Sequence, residues 1–181
     1  MSDPSATHLH YDRRTIVLHW MTAALVVALW LLGQTIDWFP KGTPRVFARS
    51  THISLGVALA LVLVARISWR SGGRAVHLPP AGLGWLDKMA TVTHWLLYGL
   101  LITTVALGVT NAWVRGDTIF NLFKIQSIDP NNKPLKESVE EWHALAANTL
   151  LVVALFHAAA GLLHHFVWHD GVLRRMLLTK R

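Results

Sequence analysis

Four apolar runs separated by polar stretches set the plan of this chain. They extend over Thr15 to Ile36, Ser50 to Trp69, Met89 to Val114 and Trp142 to Trp168. About 20 apolar residues cross the hydrocarbon core of a bilayer as a helix, so each run predicts a membrane span. The last run, WHALAANTLLVVALFHAAAGLLHHFVW, carries no Asp, Glu, Lys or Arg in 27 residues. The prediction is an all-α integral membrane four-helix bundle forming one domain over residues 1–181, with no length left for a second folded domain. The first run is expected to be retained and not cleaved, because Gly33-Gln34-Thr35 lacks the small-x-small pattern of a signal peptidase site. Arg13-Arg14 superficially resembles a twin-arginine signal, but the following span is too long and too hydrophobic for one.

The stretches between the runs refine this plan. Pro40, Gly42 and Pro44 are read as helix breakers in a first loop from Asp37 to Arg49. Arg66 lies one turn from the end of the second span, where its long side chain is expected to snorkel to the interface. Gly72-Gly73 and Pro79-Pro80 mark the second loop. The third loop, Arg115 to Glu141, is the longest, and its Ile119, Phe120, Leu122 and Phe123 are expected along the membrane interface. Glu137, Glu140 and Glu141 precede the fourth span, where the positive end of a helix dipole favours acids. The tail Gly171 to Arg181 reads as a basic interfacial helix. Four spans put both termini and the second loop on one side, with ten Lys and Arg and four acids, against seven and six on the other. The positive-inside rule therefore predicts cytoplasmic termini, including the tail from Met1 to Arg14. Trp20, Trp95, Trp142 and Trp168 near the span ends suit an aromatic belt.

Composition narrows the chemistry. The chain of 181 residues is 52% hydrophobic and 15% charged, with nine tryptophans. A net charge of +7 raises nucleic acid as a partner, but the basic residues flank apolar runs and form no soluble basic face, so the lipid bilayer is the partner they fit. The chain has no cysteine, which excludes disulfides, thiolate haem ligation and iron–sulfur clusters bound by this chain.

Histidine is the remaining ligand type. His143 and His157 stand 14 residues apart in the fourth span, which is about 21 Å along a helix and about 40° around it. Imidazoles are costly in lipid and face a bundle interior with a partner, so this stripe calls for haem iron, another metal or protons. His52, three residues past Arg49, and His143, two past Glu141, lie within about 2 Å of the same depth and form an outer pair. On the other side His19 can pair with His157 or His164, and depth alone does not choose. Small residues one turn from a ligand let a macrocycle approach. His19, His52, His143 and His157 are followed at that position by Ala23, Gly56, Ala147 and Gly161, whereas His94 and His164 are followed by Tyr98 and Trp168. This favours His157.

The segments LHW (Leu18 to Trp20), STHISLGV (Ser50 to Val57), EEWHALAAN (Glu140 to Asn148) and FHAAAGLLHHFVW (Phe156 to Trp168) resemble the bacterial cytochrome b561 family. The HAAA and HH spacing of the last is the most specific, and the resemblance extends from about Arg14 to Met176. It implies two haem b groups, with iron held by His52 and His143 and by His19 and His157. It also implies an oxidoreductase passing electrons from superoxide outside to ubiquinone in the membrane.

His94 and His164 both lie about 9 Å in from cytoplasmic charges, so they are expected to meet near the inner pair. Histidines there can supply the protons that quinone reduction consumes, and the resemblance implies a quinone site at that place. The bland alternative is two packing histidines, with Trp95 and Tyr98 facing lipid. His77, His165 and His169 read as interfacial residues. Lys41, Arg45 and Arg49 either steer a small anion toward the outer pair or bind lipid phosphate. Two other functions fit the same spans: the cytochrome b conduit subunit of a hydrogenase or dehydrogenase, and a His-lined metal or proton transporter without haem.

Overall fold

Asp12 opens the first helix, α1 (Arg13–Thr35), by accepting a hydrogen bond from the Thr15 amide at 2.9 Å. Its carboxylate satisfies a helix-terminal N–H that has no intrahelical partner. A 3₁₀ turn over Ile36–Trp38 prolongs this helix. The computed structural model describes residues 10–76, 78 and 84–178. The expectations for the tail before residue 10, His77, Pro79-Pro80, Lys180 and Arg181 fall outside the described residues.

Helix α2 (Thr43–Ser71) begins seven residues before the expected Ser50. Pro44 was read as a breaker, yet it occupies the first helical turn, where its missing N–H is one of the unpaired groups anyway. Arg45 and Arg49 therefore sit on a helix and not in a loop. Helix α3 (Trp85–Arg115) closes on Gly116 in the left-handed conformation at φ 70°, and a side chain there would crowd Ser127.

The expected long third loop is a short hairpin followed by helix. Strands β1 (Thr118–Ile119) and β2 (Phe123–Lys124) pair antiparallel around Phe120 and Asn121, both at positive φ. The Phe120 amide donates to Ser54 Oγ and the Asn121 amide to Ser50 Oγ, at 2.9 and 2.7 Å. The hairpin is thereby tied to α2 with Phe120, Leu122 and Phe123 exposed. Helix α4 (Lys133–Leu163) starts nine residues before the expected Trp142, capped by Asn132 with Pro134 in its first turn. A π turn over His164–Trp168 ends it, and His169 and Gly171 turn the chain back at positive φ.

The tail is not the expected interfacial helix. Its described part holds one 3₁₀ turn, Arg174–Met176. It folds onto the bundle, because the Trp20 indole donates to the Met176 carbonyl at 2.8 Å and the Tyr11 amide to the Arg175 carbonyl at 3.2 Å. The two described ends of the chain thus meet at one end of the bundle.

Helix α1 packs chiefly on α2, and α3 on α4. The buried cluster Leu29, Leu59, Leu63, Leu101 and Leu150 takes a residue from every helix. Most large apolar side chains point outward instead: Trp95 is 76% exposed, and Trp20, Trp142 and Trp168 are also on the outside. An outer face this apolar matches lipid as its solvent. All four helices are long and apolar enough to span a membrane.

Candidate functional site

Helices α2 and α4 bring His52 and His143 face to edge, with ring centroids 6.2 Å apart and planes at 86°. His143 Nδ1 lies 3.1 Å from the Thr104 carbonyl. A carbonyl only accepts, so Nδ1 carries the proton and Nε2 keeps its lone pair for a ligand; such a bond orients metal-binding histidines generally. Room for both rings comes from the neighbouring helices. A Cβ on Gly33 would lie 3.3 Å from His52 Cε1, and one on Gly108 would lie 3.0 Å from His143 Cε1. Gly56, one turn past His52, faces open space. On α3, Thr104 Oγ1 and Asn111 Oδ1 are buried without a hydrogen-bond partner.

Toward the other end, His19 on α1 faces His157 on α4, with centroids 6.3 Å apart and planes at 69°. His94 on α3 adds a third ring, 5.2 Å from His157. Arg66 reaches in from α2, with Nη2 3.2 Å from His19 Nδ1 and its guanidinium carbon 5.0 Å from the centre of the Tyr98 ring. The leucine cluster includes Leu150, midway along α4 between His143 and His157.

The spacing within both pairs fits a haem iron. An imidazole nitrogen binds a first-row metal at about 2.0 Å and lies about 1.1 Å from its ring centre, so an iron between two rings holds their centroids about 6.2 Å apart. Among the described residues no three His, Cys, Asp or Glu side chains gather into a cage for a bare metal ion. Two opposed imidazoles are instead what the axial positions of haem accept.

Comparison with known protein families matches residues 10–178 to the one described as prokaryotic cytochrome b561. The chain belongs to the prokaryotic cytochrome b561 family. It is similar to a protein of Yersinia pestis named probable superoxide oxidase CybB, 28% identical over 96% of this chain and 99% of that protein. It is similar also to cytochrome b562 of Cereibacter sphaeroides, 30% identical over 92% of this chain and 94% of that one. Cytochrome b561 homolog 1 of Escherichia coli is 25% identical over 94% of this chain and 98% of its own. Membership makes the chain a multi-pass membrane cytochrome that transfers electrons, with haem b as the family's cofactor.

In this cytochrome b561 the cations at the end that holds His52 and His143 are mostly engaged. Arg45 forms an ion pair with Asp37 at 3.1 Å and donates to the Asp37 and Phe39 carbonyls. Arg49 pairs with Asp117 at 3.6 Å, and Arg115 links Asp117 to Glu140. Burial pushes the Asp117 carboxyl above its usual range, even with Arg49 and Arg115 beside it. Of the three steering candidates Lys41 is the exposed one outside these pairs.

The histidines at the other end are arranged differently from expectation. His94 packs edge-on against His157, with ring planes at 67°, and does not meet His164. His164 Nδ1 hydrogen-bonds Asp170 Oδ2, and its ring lies against Trp168 within the π turn. Burial pushes the Asp170 carboxyl up, but hydrogen bonds from His164 and the Val172 amide outweigh it and hold the group below its usual range. His165 and His169 lie in and just beyond the same turn, with His169 exposed. Sequence reading missed Arg66 as an inward group, Asp170 as the partner of His164, and Gly33 and Gly108 as the space-makers. The last two were findable: small residues were sought on the ligand's own helix, and these sit on the helices opposite.

Proposed function

We propose that this cytochrome carries two haem b groups, the outer held by His52 and His143 and the inner by His19 and His157, and passes electrons from superoxide to ubiquinone. The observation that carries this reading is the pair of histidine couples at 6.2 and 6.3 Å, one in each half of the bundle. The similarity to a probable superoxide oxidase supports superoxide as the donor. The excess of Lys and Arg at the end where the termini meet supports cytoplasmic termini, with the His52 and His143 pair toward the outside.

Haem b supplies a one-electron carrier at each site. The chain's own residues do the rest. Two imidazoles at each site, His52 with His143 and His19 with His157, would hold the group and leave dioxygen no place to bind, which suits electron passage over oxygen binding. The Thr104 carbonyl orients the His143 ring and leaves its Nε2 free for a ligand. Lys41 raises the local concentration of a small anion at the outer rim. Two superoxide anions each give up one electron and leave as dioxygen; two electrons and two protons turn the quinone into quinol. His94, beside His157, and His164, held by Asp170, are the groups at the inner end able to hand on protons.

The test is haem content, spectrum and superoxide-dependent quinone reduction of the purified protein. Two low-spin haems per chain and quinol formation are expected. Haem near zero sinks the whole reading. Two haems that superoxide cannot reduce transfer the protein to the conduit role beside a hydrogenase or dehydrogenase.

A further inference from the structure

Arg66 is a half-buried cation that no carboxylate among the described residues answers. Its partners are His19 and the Tyr98 ring, neither of them an anion. The cleft it lines with Tyr98 and Trp69 also holds Arg70, a second cation. The outer arginines contrast with it, since Arg49 and Arg115 share Asp117 and Arg115 also has Glu140. A charge held away from water is costly unless it is paired, so this position favours an anionic partner.

The hydrogen bond to His19 narrows what that partner is. A guanidinium only donates, so Arg66 needs the lone pair of His19 Nδ1. A histidine bound to iron through Nε2 keeps its proton on Nδ1, and two donors then oppose each other. Arg66 must then find an acceptor nearby, while Tyr98 keeps its guanidinium in the site. Haem b brings two carboxylates with it, and arginine binds carboxylates through two parallel bonds.

We propose that Arg66 is the carboxylate anchor of the inner haem, its guanidinium passing from His19 Nδ1 to a haem propionate when His19 takes the iron. This rests on the assignment of His19 and His157 as the inner ligands. That assignment has its own control, because His157→Ala must abolish the inner haem whatever Arg66 does.

The experiment measures how fast each haem leaves the purified protein in the presence of a haem-scavenging protein. In Arg66→Gln the inner haem should leave about tenfold faster, the effect of losing one charge-assisted bond, and the outer haem should be unaffected. Arg66→Lys, which keeps the charge without the fork, should fall between. The dimethyl ester of haem has no free carboxylates, so the native chain and Arg66→Gln, each reconstituted with it, should release it at equal rates. Equal half-times with ordinary haem overturn the proposal. So does an equal acceleration with haem and with its diester, which would make Arg66 a support for His19 alone. If Arg66→Gln fails to accumulate, the native chain decides, since its inner centre should release the diester faster than haem, and equal rates overturn the anchor.

Discussion

Gly108 faces His143 so closely that a Cβ on it would lie 3.0 Å from His143 Cε1, tighter than side chains normally tolerate. The glycine is therefore part of the outer site although it sits on a helix with neither outer ligand. Gly108→Ala should displace the His143 ring, at a cost of about 1–3 kcal/mol for overpacking. The outer haem should be lost or altered in spectrum while the inner one stays. An unchanged pair of spectra would mean that His143 yields without consequence.

The ligand assignment at the inner end separates three histidines. His157→Ala should lose the inner haem. His164→Ala should keep both haems, because its ring is turned to Asp170 and Trp168, and quinone reduction should fall severalfold. His94→Ala should also keep both, with a perturbed inner spectrum, since its ring touches His157. Loss of a haem in His164→Ala with retention in His157→Ala would exchange their roles.

The outer cations divide between rate and stability. Raising salt should slow the reaction with superoxide modestly, as screening sets in over a Debye length of about 8 Å at physiological ionic strength. Lys41→Gln should reproduce part of that loss with no change in unfolding temperature. Arg49→Gln should instead lower the unfolding temperature, because it strips a partner from the half-buried Asp117. A stability loss confined to Lys41→Gln would reverse this division.

Asp12 predicts an acid sensitivity. Burial raises its carboxyl, but donors from Thr15, Val76 and Trp69 outweigh burial and leave the group below its usual value. A carboxyl lowered in the folded state stabilises the fold above the ordinary carboxylate range, and the benefit fades as pH falls through the lowered value. Asp12→Ala should cost about 0.5–2 kcal/mol at neutral pH through the lost helix cap, and less in acid. Thermal unfolding in detergent across that pH range measures both, and an equal deficit at every pH would deny the carboxylate its role.

The spans were legible because uninterrupted apolar length is a strong signal and lipid demands it. The starts of α2 and α4 were not. Thr43 to Arg49 and Lys133 to Glu141 are polar, so apolar length marks where membrane begins and not where helix begins. Pro44 and Pro134 add to this, since the same residue breaks a helix in its interior and opens one at its first turn. Pairing His52 with His143 by depth needed only helical rise, and the two rings do meet. Arg66 escaped because a long side chain near a span end reaches water or the bundle interior with equal ease, and the choice depends on His19 and Tyr98 from other helices. His94 and His164 were matched by depth, but depth carries no azimuth, and His164 turns to Asp170 just beyond the end of its own helix.

Because α4 carries one imidazole of each facing pair, its numbering between His143 and His157 is a phase lock. Fourteen residues come close to four full turns, so both rings leave the helix on one side. A single residue inserted or deleted in that interval rotates one ring by about 100° relative to the other, and no loop lies between them to absorb the slip. Length variation of the chain should therefore be tolerated in the segments joining the helices and rejected between these two histidines, where gaining or losing one amino acid disables a centre that the change never touches.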